Sequence, residues 1–320
     1  MFLYPYISLF FLTLTTSIFI ALSSANWLII WISLEINIIS FIPLISSTRW
    51  HQESESALKY LLFQALGSSF ILARTLSPSL SLMCFVGLCM KLGAAPFHFW
   101  FPSVIKSIRW PIALILITLQ KIRPMVLIIS SFNKNQSILC TVGILCALVG
   151  GFGGIAQSHF RALLAYSSIS HIGWIIATCT FSQAAALIYL TIYIAISAPT
   201  VWSASLSNIN SLRQPTKPSR PPLLALTLPC VLSLSGLPPF AGFLPKLLAL
   251  SSFNQLLTPL FLLLGSLLNL GYYLNFIFCM FLSSPKRNLE LTPKNSSIFL
   301  SLVAMIAVNP LPVVAIFLLF

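Results

Sequence analysis

The chain contains no aspartate. Its 320 residues carry only four acids, Glu35, Glu53, Glu55 and Glu290, against 17 lysines and arginines, a formal net charge of +13. Charged residues of both signs make up 7% of the sequence, while 58% is hydrophobic. So little charge excludes a soluble domain, because apolar windows of about 20 residues recur from end to end. No Cys-x-x-Cys is present, and the seven cysteines (84, 89, 140, 146, 179, 230 and 279) all lie in apolar runs. They read as small core residues, which argues against an iron–sulfur or haem role. A cleavable signal is not expected either, since the first apolar run lacks a basic leader and a small-residue cleavage site.

What is present is a series of eleven expected spans, at about 3–22, 25–46, 57–76, 79–105, 110–131, 137–157, 161–180, 182–205, 222–255, 256–282 and 297–319. The longest polar stretch is the Pro- and Ser-rich segment 205–222. A charge of +13 on a soluble protein would point to nucleic acid, but these charges fall in short loops, so topology explains them and no nucleic-acid partner is expected. Eleven of the cations fall on the side of the N-terminus and two, Arg74 and Lys134, on the other. That bias puts the N-terminus on the cytoplasmic or matrix side, and an odd number of spans puts the C-terminus opposite.

Two spans are interrupted. SLSLMCFVGLCMKLGAAPFHFWFPSVIKS (79–107) and PLLALTLPCVLSLSGLPPFAGFLPKLLALSS (222–252) each carry Gly-x-x-Pro-Phe. Gly93, Pro96 and Phe97 are each 143 positions before Gly236, Pro239 and Phe240, and each break has a lysine near it, Lys91 and Lys246. Paired Gly/Pro-broken membrane helices in two halves point to a transport site, because non-helical backbone at membrane depth is tolerated only where protein or a polar cavity satisfies it. The broken spans are the fourth and ninth and so run in opposite directions. The expected fold is therefore all-α, a single transmembrane domain over 1–320. Two inverted five-helix repeats (about 1–135 and 136–282) hold the two discontinuous helices, and one C-terminal helix (about 297–319) is appended.

Ionisable residues inside membrane spans are functional hypotheses by default. Glu35 is the only acid in any expected span; a lone carboxylate there costs roughly several kcal/mol or takes up a proton. Lys91 is its natural partner, and such a pair couples the two protonation states; a static structural pair is the alternative. Lys121, mid-span in WPIALILITLQKIRPMVLIIS, is too deep to snorkel, so a neutral amine becomes accessible and a relay role follows. Gln120 stands beside it and Pro124 loosens the backbone one turn on. Arg123 stays charged and would have to snorkel, or to pair with Glu35 or a carboxylate of another chain. His171, with Tyr166, Ser167, Ser168 and Ser170, is either part of a proton wire or a helix–helix hydrogen-bonding residue. His98 follows the first break, at its mouth or at the interface, while His51 and His159 read as loop residues. The glycines of GGFGG (150–154) suit close helix packing, since no strand precedes them for a nucleotide loop.

WISLEINIISFIPL around Glu35, MKLGAAPFHFWFP around Lys91, LITLQKIRP around Lys121, LLAYSSISHIGW around His171 and LSGLPPFAGFLPK around Lys246 together resemble the NADH dehydrogenase subunit 2 family. These are mitochondrially encoded, antiporter-like subunits of respiratory complex I, and the motifs cover roughly residues 25–275 in the family's order. The resemblance implies that Glu35 and Lys91 form a coupling ion pair, that Lys121 is a central relay lysine, that Lys246 is the terminal proton-exchanging lysine, and that His171 lines the polar axis. It implies proton translocation across the inner mitochondrial membrane, coupled to electron transfer from NADH to ubiquinone. No cofactor is implied in this chain; NADH, FMN, the clusters and ubiquinone belong to other subunits. Expected partners are the other membrane-arm and accessory subunits and lipids, cardiolipin among them. Rival readings are a cation/proton antiporter subunit of the same fold and a non-pumping scaffold of the membrane arm. Three departures stand out: Ser103 where the family commonly has an acid, Ala162 after Arg161 where a lysine is common, and Arg123 where a small apolar residue is usual.

Overall fold

The computed structural model describes residues 5–46, 51–132, 136–207, 221–238, 240–253 and 255–283. The chain divides into two compact units at Asn135/Gln136. The first holds α1 (Pro5–Ser23), α2 (Trp27–Ile45), α3 (His51–Leu76), α4 (Ser81–Leu92), α5 (Trp100–Ser107), α6 (Trp110–Ile117) and α7 (Leu119–Ser131). The second holds α8 (Gln136–Ile155), α9 (Phe160–Cys179), α10 (Gln183–Ser207), α11 (Pro221–Ser235), α12 (Phe243–Ser252) and α13 (Leu257–Ser283). Each unit therefore has the same element order: three long helices, a pair of short ones, then a last crossing, which in the first unit is itself interrupted. Among the described residues, eight segments are long and apolar enough to cross a membrane, with α6 and α7 counted together. The expected eleventh span, the residue Pro239 and most of the 205–222 segment lie outside the described residues.

The surface has membrane character. Leu9, Leu12 and Phe19 on α1, Leu62 on α3, and Leu260 and Leu267 on α13 are all more than half exposed, which suits lipid and not water. The interior uses small residues to bring backbones together. α9, FRALLAYSSISHIGWIIATC, is almost entirely buried. A Cβ on Gly150 would meet Tyr166 O and Ser170 of α9, and one on Gly151 would meet Leu268 of α13, so the GGFGG segment is a close-packing surface as expected.

Two boundaries differ from the sequence reading. α3 starts at His51, six residues before the expected span. Its polar prefix HQESES is amphipathic, which an averaged hydropathy conceals. Glu53 faces inward and accepts from Arg109 Nε at 3.0 Å, whereas Glu55 pairs with Lys59 at 2.6 Å on the exposed side. Glu35 is thus not the only acid within a helix of crossing length. The expected span 110–131 breaks at Thr118, with φ −106° and ψ −76°. Its hydroxyl donates back to Leu114 O at 2.7 Å, and Pro124 six residues on removes another backbone donor.

Candidate functional site

In the first unit the break after α4 is a capped helix end. Gly93 takes φ +67°, a left-handed conformation that costs other residues roughly 1–2 kcal/mol. Its N–H donates to Met90 O and the N–H of Ala94 to Cys89 O, at 3.2 and 3.0 Å. This crossed pair satisfies carbonyls that the helix end would otherwise orphan. Met90 O also accepts from the Trp100 indole at 3.1 Å, and Lys91 O accepts from Gln64 Nε2 at 3.1 Å. Three consecutive carbonyls at membrane depth therefore have donors, which is the condition for irregular backbone there. Pro96 lies in the connecting turn, exposed, and His98 packs beside it with Nδ1 at 3.2 Å from Pro96 O.

Holding the end of α4 in this way fixes Lys91 in its last turn. Lys91 lines a cavity of about 20 Å³ together with Gln64, Gln120, Lys121, Arg123 and Tyr60. That volume exceeds the ~10–15 Å³ that one water needs. Lys91, Lys121 and Arg123 are 6%, 2% and 2% exposed. Lys121 Nζ stands 4.8 Å from the centre of the Phe101 ring, a cation–π distance. Arg123 is buried and does not snorkel. Its Nη1 donates to Ser33 O of α2 at 2.9 Å, inside this unit.

The expected Glu35–Lys91 ion pair is not formed. Lys91 Nζ is buried without a hydrogen-bond partner, and Glu35 is only half-buried. The reason lies in helix rotation. Leu34, Asn37 and Ile38 face the cavity, and Glu35, one residue past Leu34, is turned about 100° away from it. Its charge acts on Lys91 at longer range.

The second unit solves the same backbone problem differently. Gly236 takes φ +78° just past α11. A Cβ on Gly242 would collide with Ser233 O, so the returning chain runs directly against the end of α11. One turn later Lys246 reaches back, and its Nζ donates to Ser235 O at 2.7 Å. Lys246 is 6% exposed. The two lysines are therefore not positional equivalents: Lys91 precedes its break, whereas Lys246 follows its own, on α12. The spacing of 143 that relates the breaks pairs Lys246 with Ser103, whose hydroxyl bonds Trp100 O at 2.7 Å.

His171 on α9 has Nδ1 at 3.0 Å from the Tyr189 hydroxyl of α10, with the Tyr193 ring 5.2 Å away. The neighbouring serines are committed locally. Ser167, Ser168 and Ser170 donate to Leu164 O, Ala165 O and Ser167 O. Their protons are spent on their own helix, and Ser170 Oγ accepts from Asn269 of α13. Tyr166 turns towards Gly153 on α8. Residues missed in the sequence are Gln64, Tyr60, Trp100, Tyr189 and Asn269. Gln64 and Asn269 were detectable as lone amides in apolar runs; the aromatic residues gave no such signal.

A polytopic helical bundle whose two units each carry a broken helix with a buried lysine is the class of the antiporter-like membrane subunits. The family described as "NADH:quinone oxidoreductase/Mrp antiporter, TM" matches residues 24–77 and 73–271. NADH-ubiquinone oxidoreductase chain 2 of Lumbricus terrestris is 36% identical over 288 residues, covering 85% of this chain and 86% of that protein. The protein of the same name from Aquarana catesbeiana is 37% identical over 313 residues, covering 91% of each. The chain belongs to the NADH-ubiquinone oxidoreductase chain 2 family. Among solved structures, a chain of respiratory complex I from Thermus thermophilus aligns with TM-score 0.80 and 24% identity, over 94% of this chain and 77% of that one. A chain of the Mrp complex from Dietzia sp. DQ12-45-1b aligns with TM-score 0.75 and 18% identity, over 90% and 61%. Both likenesses concern the fold.

Proposed function

We propose that this chain is a core membrane-arm subunit of complex I in the inner mitochondrial membrane. It translocates protons as part of an assembly that passes electrons from NADH to ubiquinone. The relatives named NADH-ubiquinone oxidoreductase chain 2, matched over most of their length, support that membership. The observation that carries the transport role is the cavity shared by Lys91 and Lys121 inside an apolar bundle. A spacer has no use for buried cations, which are costly unless a proton can leave or a partner is present.

In this reading Lys91 and Lys121 exchange protons through the cavity and Glu35 modulates Lys91 by its charge. Lys246 is the exchanging group of the second unit, with His171 and Tyr189 a second polar station there. The two units are inverted repeats. The N-terminus faces the matrix and the C-terminus the intermembrane space. NADH, FMN, iron–sulfur clusters and ubiquinone are handled by other subunits, and lipids such as cardiolipin contact the exposed apolar faces. A cation/proton antiporter of the same fold would differ in showing a sodium dependence of transport.

The test of membership is a native gel of a mild-detergent inner-membrane extract, stained for NADH oxidation and probed for this chain. Comigration with a large NADH-oxidising assembly is expected. Migration alone, or in a small complex without that activity, would require an independent antiporter instead.

A further inference from the structure

Arg74 is held as a cation but given no anion. It stands in the last turn of α3. Its Cζ lies 3.9 Å from the centre of the Trp27 ring, at the start of α2, and 5.2 Å from that of Phe132, just past α7. Stacking of this kind uses the faces of a guanidinium and leaves the donors on its edge unspent. Of these, Nη1 is buried without a hydrogen-bond partner. The polar neighbour on α4 is the Cys84 thiol, a weak acceptor. Among the described residues no carboxylate pairs with Arg74. The ion pairs Glu53–Arg109 and Glu55–Lys59 are at the other end of α3, and Glu35 is about two turns further along α2 than Trp27.

Arginine stays protonated in proteins, and water can satisfy its N–H groups without supplying the missing charge. The position of Arg74 says where an anion is at hand. α2 begins, and α3 and α7 end, around this residue, so it lies at the edge of the bilayer, where indole rings collect at headgroup level. Phospholipids present phosphate at that depth, and the guanidinium fork matches phosphate oxygens. Arg74 is half-buried, and the surface around it is apolar. Leu76, two residues on, is 81% exposed, and Leu80, Leu82 and Met83 are exposed where the chain enters α4. That surface suits acyl chains.

We propose that Arg74 holds the phosphate of a phospholipid whose acyl chains lie over Leu76, Leu80 and Met83. This rests on the reading that lipids cover the exposed apolar faces, and narrows it to one headgroup contact. Intact complex in mild detergent is exchanged with a phosphatidylcholine that carries a diazirine on one acyl chain, or with a diacylglycerol of the same chains, which lacks the phosphate. After illumination, labelled peptides of this chain are mapped by mass spectrometry. Phosphatidylcholine is expected to label the segment 76–83 roughly tenfold more than diacylglycerol, as for one charge-assisted contact, and Arg74→Gln should abolish that preference. Excess inorganic phosphate should leave the labelling unchanged. The two lipids are compared on wild type, so that result stands even if the variant does not assemble. Equal labelling by both lipids would overturn the phosphate contact and leave the lipid coverage in place. No labelling by either would overturn both and give Arg74 to a carboxylate of a neighbouring subunit. A preference that survives in Arg74→Gln would put the phosphate elsewhere, and competition by inorganic phosphate would overturn the lipid as its source.

Discussion

Lys246 caps the helix that precedes it: its Nζ donates to Ser235 O at 2.7 Å, across the break between α11 and α12. The same task at the first break falls to Gln64 and Trp100, neither of them ionisable at this site. One unit thus ties its buried charge to the backbone of the break, and the other leaves its lysine headgroup clear of protein acceptors. This difference sets the effect expected of each substitution.

Lys246→Met removes a charge-assisted donor from a buried carbonyl, a loss of roughly 1.5–3 kcal/mol. Earlier thermal loss of the NADH-oxidising band on native gels is expected, together with reduced proton movement. Lys246→Arg keeps a donor but not a group that releases its proton, so stability should recover further than pumping does. Full pumping by the arginine variant would remove Lys246 from the relay.

Gly93→Ala and Gly236→Ala each force a left-handed backbone on alanine, at roughly 1–2 kcal/mol. A new Cβ at 236 would also stand 2.6 Å from Lys246 Nζ. Gly236→Ala should therefore lower turnover more than Gly93→Ala at a similar loss of assembled complex. Wild-type assembly and turnover in both variants would contradict the account of the breaks.

Gln64→Leu leaves Lys91 O without its donor and Trp100→Phe takes one of two donors from Met90 O. The first should cost about 1–3 kcal/mol and the second less. Because both act on one helix end, the double variant should depart from additivity. A melting series of the assembled complex checks this; strictly additive shifts would mean that the two bonds hold the end independently.

Tyr189→Phe breaks the 3.0 Å contact with His171 while keeping the ring that stacks on Trp174. Assembly should be unaffected and coupled turnover slowed several-fold, roughly the loss of one modest hydrogen bond in the transfer path. If Tyr189→Phe and His171→Gln both turn over at the wild-type rate, this pair is a helix–helix contact only.

Much of this was legible in the residues. Gly-x-x-Pro-Phe located both breaks, and the mid-span Lys121 pointed to the cavity wall. What pattern could not give was rotation about helix axes. Glu35 and Lys91 are both ionisable and both in spans, but a turn of about 100° per residue decides that Leu34 and Asn37, not Glu35, face Lys91. That Lys91 precedes its break and Lys246 follows its own was already written in the residue numbers; what the sequence did not show is that Lys246 reaches back to Ser235 O while Lys91 makes no such bond. The sequence left Arg123 between snorkelling and pairing with a carboxylate, and did not offer the backbone acceptor it has, Ser33 O, 90 residues away. The α3 start was missed because Glu53 needed a distant partner, Arg109, before its burial made sense.

The central claim is that buried lysines move protons, and Lys121→Met in the intact complex, reconstituted in sealed vesicles, tests it most directly. Proton uptake and NADH–quinone turnover are measured on the same preparation after assembly is verified on a native gel. Both should fall roughly tenfold or more, a change of ~1.4 kcal/mol or more in the barrier, because transport and electron transfer are coupled. Unchanged pumping with normal assembly would contradict the account and support a scaffold; full electron transfer with pumping lost would contradict the coupling.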